Sequence, residues 1–64
     1  MKIVTVDNIT IECTEEGTRY ACYIKEHDMY FSSKIEFGDP HIIRKARAMV
    51  KAKENFLKDF PQYK

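Results

Sequence analysis

The sequence predicts an α+β fold, an antiparallel meander of three to four strands packed on one face by a single C-terminal helix. Three observations carry this. Apolar side chains recur at every second position through the first half of the chain, and glycine or Asp-Asn pairs interrupt that alternation at short intervals. After Phe37-Gly38-Asp39-Pro40 the apolar spacing changes to the three-and-four repeat of a helix. With 64 residues and no repeat, linker or low-complexity stretch, the chain reads as one domain. Its strands are expected within residues 2–37, its helix over about 40–59, and a short tail over 60–64.

The first reversal is expected at Asp7-Asn8, because both residue types tolerate positive φ. A two-residue turn there pairs Val6 with Ile9 and Val4 with Ile11 on one face, while a single bent strand over residues 3–13 is the alternative. Ile9, Ile11 and Cys13 alternate with Thr10 and Glu12. Glu15-Glu16-Gly17-Thr18 holds the next reversal. A type II′ turn at Gly17-Thr18 sets Cys13 opposite Cys22, whereas a four-residue loop sets Cys13 against Tyr20; either keeps both thiols on the core side. Tyr20, Cys22 and Ile24 then alternate with Arg19, Ala21, Tyr23 and Lys25. A third hairpin closed by His27-Asp28 is expected to place Ile24 opposite Phe31 and Tyr23 opposite Ser32. Met29, Phe31, Ile35 and Phe37 continue the alternation, broken at Ser33.

Gly38 releases the last strand, Asp39 is placed to cap the helix, and Pro40 at the first helical position loses no hydrogen bond. Pro61 stops the helix near Asp59. At about 100° per residue, Ile42, Ile43, Ala46, Met49, Val50, Phe56, Leu57 and Phe60 share one arc, the face expected to meet the sheet. Lys53 falls inside that arc. Its stem is expected along the sheet edge, with the amine reaching water or an acid such as Glu12 or Glu26.

Size and motif content argue against an enzyme. A domain this small rarely encloses the roughly 300 Å³ that a small-molecule pocket needs, and the chain has no nucleophile elbow, no phosphate-cradling glycine loop and no HExxH. His27 in a turn and His41 in the first helical turn read as surface residues. No cofactor and no small-molecule substrate are expected. Cys13 and Cys22 read as buried thiols, since no secretory leader is evident at Met1-Lys2-Ile3-Val4-Thr5-Val6. A zinc site from Cys13, Cys22, His27 and His41 lacks the short knuckle spacing that lets one turn supply two ligands. No apolar run approaches the roughly 20 residues of a membrane span. The expectation is a cytoplasmic protein that does not engage membranes.

Charge is divided along the chain. Residues 1–40 hold eight acidic and four basic side chains, and residues 41–64 hold two acidic and seven basic ones, which the net charge of +1 conceals. Two candidate surfaces follow. By alternation the sheet face away from the helix shows Thr5, Thr10, Glu12, Arg19, Ala21, Tyr23, Lys25, Tyr30, Ser32, Lys34 and Glu36; read as an ordinary solvated face, it pairs Arg19 with Glu36 across strands. There Arg19, Tyr23, Lys25, Tyr30 and Lys34 interleave aromatic rings with cations, as surfaces that stack bases and bind phosphate do, and as protein-binding patches also do. The outer arc of the helix carries Arg44, Arg47, Lys51 and Lys58, a ridge suited to tracking phosphates.

From Tyr20 to Leu57 the layout resembles the small DNA-binding arm domains of tyrosine-type integrases and the plant AP2-type domains. That resemblance is one of architecture, and it implies DNA contact through the sheet. The sequence therefore points to a non-enzymatic binding module, a monomer or weak homodimer, that engages nucleic acid through the open sheet face or the ridge. The alternative is a small inhibitor or adaptor of a larger protein machine.

Overall fold

A computed structural model describes residues 1–63 of the 64, and Lys64 of the expected tail lies outside the described residues. Four strands, β1 (Lys2–Val6), β2 (Ile9–Glu16), β3 (Arg19–Ile24) and β4 (Met29–Lys34), form one antiparallel sheet in sequential order. A 3-10 turn over Ile35–Phe37 leads into the helix α1 (Gly38–Asp59), and a second 3-10 turn, Pro61–Tyr63, follows it. The architecture is the expected α+β meander, with four strands. No helix among the described residues is long and apolar enough to cross a membrane.

The first two hairpins form where turn chemistry demands them. Asp7 and Asn8 take φ of 49° and 63°, the left-handed pair of a type I′ turn, and Val6 faces Ile9 across it. Residues 3–13 are therefore two strands. Gly17 takes φ 64° while Thr18 does not enter the positive region, which fits the type II′ requirement at the first turn position. Cys13 then lies directly opposite Cys22.

The third hairpin differs from expectation by two residues. Lys25-Glu26-His27-Asp28 form a four-residue loop in which the His27 N–H donates to the Ile24 carbonyl at 3.3 Å and Asp28 takes φ 50°. Ile24 consequently faces Met29 rather than Phe31, and Tyr23 faces Tyr30 rather than Ser32. A shift of two leaves every side chain on its expected face, because the strand period is two.

The last strand also ends earlier than the alternation suggests. β3 begins at Arg19, so β4 runs out of partners at Lys34; one more bond, from the Ile35 N–H to the Thr18 carbonyl at 3.0 Å, closes the ladder. Ile35, Glu36 and Phe37 therefore wind into the 3-10 turn and leave the sheet. Gly38 is needed at its end, since its φ of 71° is a conformation that side-chain-bearing residues rarely adopt.

Ser33 does not interrupt the pattern. It sits fully buried on the core side, and its Oγ shares a 2.7 Å hydrogen bond with Nδ1 of the half-buried His41 in the first turn of α1. Asp39 does not cap the helix: no side-chain cap bond is present, and the carboxylate instead forms a salt bridge to Lys2 of β1. Gly38, with its non-helical φ and ψ, occupies the entry position, so Asp39 already lies in the first turn, where a negative charge suits the helix dipole.

The core is a single layer. Ile9, Ile11, Cys13, Cys22 and Ile24 of the sheet meet Ile42, Ala46 and Val50 of α1, a column at intervals of four residues. Of the expected helix face, Met49 packs beside this column. Phe56 and Phe60 stay about half exposed, at 48% and 45%, with their rings 5.1 Å apart. Length explains the difference. The 22-residue helix runs about 33 Å at 1.5 Å per residue, whereas the six residues of β3 or β4 span about 20 Å. Lys53 marks the crossing point, its ammonium donating to the His27 carbonyl at 3.1 Å rather than to Glu12 or Glu26.

Two outcomes test this account of the helix entry. Ser33→Ala orphans the inward nitrogen of His41 and is expected to cost roughly 1–3 kcal/mol in urea denaturation. Substituting Lys2 and Asp39 singly and together should give non-additive changes in the urea midpoint, whereas additivity would mean that Asp39 acts through the helix end alone.

Candidate functional site

The open side of the sheet is ordered in rows set by the strand register. Ile3, Glu12, Tyr23 and Tyr30 line up across all four strands; beside them stand Thr14, Ala21 and Ser32, and then Glu16, Arg19 and Lys34. The first row is the most distinctive. Tyr23 and Tyr30 stack with centroids 4.7 Å apart at 33°. Alternation along β3 makes theirs a pair that exchanges no backbone hydrogen bonds, the kind in which side chains stand closest. The Tyr23 hydroxyl donates to Asp28 Oδ1 at 3.0 Å, and this bond to a carboxylate holds its pKa above the ordinary phenol value.

Tyr30 is 71% exposed and Ile3 60%, and Met1 lies next to them, also exposed. A shallow concavity opens between Met1 and the tyrosine pair, floored by Ala21 and flanked by Glu12 and Thr14. Ala21 supplies the depth, because its neighbours across the sheet are longer.

Of the expected sheet residues, the structure brings Tyr23 and Tyr30 together and leaves the cations apart. Arg19 and Lys34 face each other four residues along the strands, roughly 13 Å from the tyrosine row. Arg19 does not pair with Glu36, which left the sheet with the 3-10 turn; its guanidinium bonds Ser32 Oγ at 3.1 and 3.3 Å. Lys34 lies 5.7 Å from the centroid of the Phe37 ring. Lys25 is exposed in the loop beyond β3. Met1 and Ile3 were not among the expected site residues. The available signal was strand parity, since the turn at Asp7-Asn8 puts Ile3 on the same face as Thr5.

The ridge residues Arg44, Arg47, Lys51 and Lys58 are all exposed on α1. They lie on the opposite side of the molecule from the tyrosines. Arg47 is engaged by Asp7, Nε to Oδ2 at 2.8 Å. A shallow hollow lies between Pro40, Ile43, Arg44 and Arg47 on that side.

Nucleophiles are present but shielded. Ser33 and His41 are bonded as a nucleophile and base would be, yet Ser33 is fully buried and offers no approach to a substrate. Cys13 and Cys22 are buried free thiols. Burial raises the pKa of both, that of Cys22 to about 12, with the neighbouring Cys13 thiol adding to the rise. A thiol so protonated is a poor nucleophile and a poor metal ligand. No cluster of three or more His, Cys, Asp or Glu suited to a metal ion occurs among the described residues. No protein-family model, curated protein or solved structure matches the chain, so its surfaces must be read from their own chemistry.

The raised thiol pKa has a pH consequence. The folded protein keeps the Cys22 proton up to about pH 12, while the unfolded chain releases it near the ordinary value of 9.0. This contribution to stability is therefore full below about pH 9 and is lost as pH rises toward 12. Cys22→Ala should give a shallower alkaline fall in urea midpoint than the parent protein. Equal slopes would show that the thiol is not shielded.

Proposed function

We propose that this protein is a small binding module that engages a partner polypeptide through the open face of its sheet, as an adaptor or inhibitor of a larger protein. The row Ile3, Glu12, Tyr23 and Tyr30 carries this reading. It combines a stacked aromatic pair, exposed aliphatic surface and one carboxylate around a shallow concavity. Rigid tyrosines beside apolar surface are the usual anchors of protein interfaces, because they bury much area at little cost in side-chain entropy.

Nucleic acid stands second. Tyr23 and Tyr30 cover each other instead of offering two separate stacking platforms. Glu12 sits in the same row and repels phosphate, and Arg19 and Lys34 are distant from both rings. What favours nucleic acid is the ridge, where Arg44, Lys51 and Lys58 present charge outward along α1.

Immobilised protein and nuclease-treated lysate separate the readings. A protein retained by the parent chain should be lost with Tyr23→Ala combined with Tyr30→Ala, with the circular dichroism of the variant unchanged. Arg44→Glu with Lys51→Glu should retain it. In parallel, fluorescence polarisation with a short duplex and a single strand at low salt should show no binding. Salt-sensitive binding abolished by the ridge variant and indifferent to the tyrosines would replace the protein reading with the nucleic-acid one.

A further inference from the structure

The two edges of the sheet are guarded unequally. In β4, alternation from the closing Ile35 to Thr18 bond turns the backbone groups of Tyr30, Ser32 and Lys34 outward. Lys45 of α1 reaches over this edge and donates to the Ser32 carbonyl at 2.7 Å, and Lys34 adds a second charge. Lysines placed in this way discourage a further strand from pairing.

β1 has no such guard. Its two-residue turn makes Val6 with Ile9, Val4 with Ile11 and Lys2 with Cys13 the pairs that exchange hydrogen bonds, so Ile3 and Thr5 turn their N–H and C=O groups outward. Thr10, the residue opposite Thr5, confirms this phase. Its carbonyl accepts from the Lys25 N–H at 3.0 Å and its N–H donates to the Glu26 carboxylate at 2.7 Å, both away from β1. Among the described residues nothing bonds the outward groups of Ile3 and Thr5. The one charged side chain of the strand, Lys2, is drawn to Asp39 on the helix side and shields nothing. Ile3, Val4, Thr5 and Val6 are all β-branched, with no proline or bulge among them.

We infer that β1 is the docking edge for a second copy of this chain, paired antiparallel about Val4. In this register Ile3 exchanges hydrogen bonds with Thr5 of the second copy and Thr5 with its Ile3, so every free backbone group at these residues is used. Val4 meets Val4, Lys2 stands beside Val6, and no like charges are opposed. The pairing is isologous and therefore closes on itself. The resulting eight-stranded sheet is bounded on both sides by the lysine-guarded β4 edge, which stops growth at two copies. The contact is small, which makes the dimer dependent on concentration, and it does not rest on the open face being a binding surface.

Amide hydrogen exchange and sedimentation equilibrium, from dilute protein to about 1 mM, test the inference. Protection at the Ile3 and Thr5 amides should rise at least about tenfold with concentration as the mass moves toward twice that of the chain. Thr5→Pro removes an outward N–H that β2 does not use, so it should remain monomeric with an unchanged circular dichroism spectrum. Ile3→Lys, which places a charge beside the edge, should do the same and stands in if the proline variant does not fold. A single-chain mass at 1 mM with unchanged exchange at both amides would overturn the inference. So would a dimer that survives both variants.

Discussion

Everything in this molecule hangs on one contact layer, the column Ile42, Ala46 and Val50 laid on Ile11, Cys13, Cys22 and Ile24. A helix can cover only one face of a sheet, and the described residues hold a single α-helix. Ala46, fully buried at the centre of the column, and the two buried thiols are its small members. Because the buried set is so limited, its stability margin is narrow for a chain of this size. The open face and the bare edge are what remains once this layer is made.

The charge division has a structural use that its one-dimensional pattern conceals. Of the six described lysines and arginines after Pro40, three reach back to the first half of the chain: Lys45 to the Ser32 carbonyl, Arg47 to Asp7 and Lys53 to the His27 carbonyl. Lys45 and Arg47 latch the flanks of the helix to the sheet on either side of the apolar column, and Lys53 fastens it beyond the column's end. Part of the basic character of the helix thus serves the fold itself. Arg44, Lys51 and Lys58 are the cations that still face away.

Turn chemistry decided how much of this was legible. Asp7-Asn8 and Gly17-Thr18 announce themselves because positive φ restricts which residues can stand there, and with them came the first two registers and the Cys13–Cys22 pair. Lys25-Glu26-His27-Asp28 has no glycine to mark its length, and registers two residues apart bury the same faces, so parity could not choose between them. The tyrosine stack depends on that choice. Tyr23 and Tyr30 were visible as face residues, but their contact was not. Ser33 looked like a fault in the pattern because its partner, His41, arrives from another element. Asp39 looked like a cap because the attraction of Lys2, 37 residues away, leaves no local trace.

The sequential strand order also bears on how the chain is made. Each pairing in the sheet joins neighbours separated by a turn of two or four residues, so the meander closes with little loop entropy and low contact order. The helix is synthesised only after all four strands. Until Ile42, Ala46 and Val50 emerge, a nascent sheet would hold Ile11 and Ile24 bare to water on one side, a state too poorly buried to persist. Hairpins that pair early must therefore wait for α1, and sheet and helix become stable in the same event.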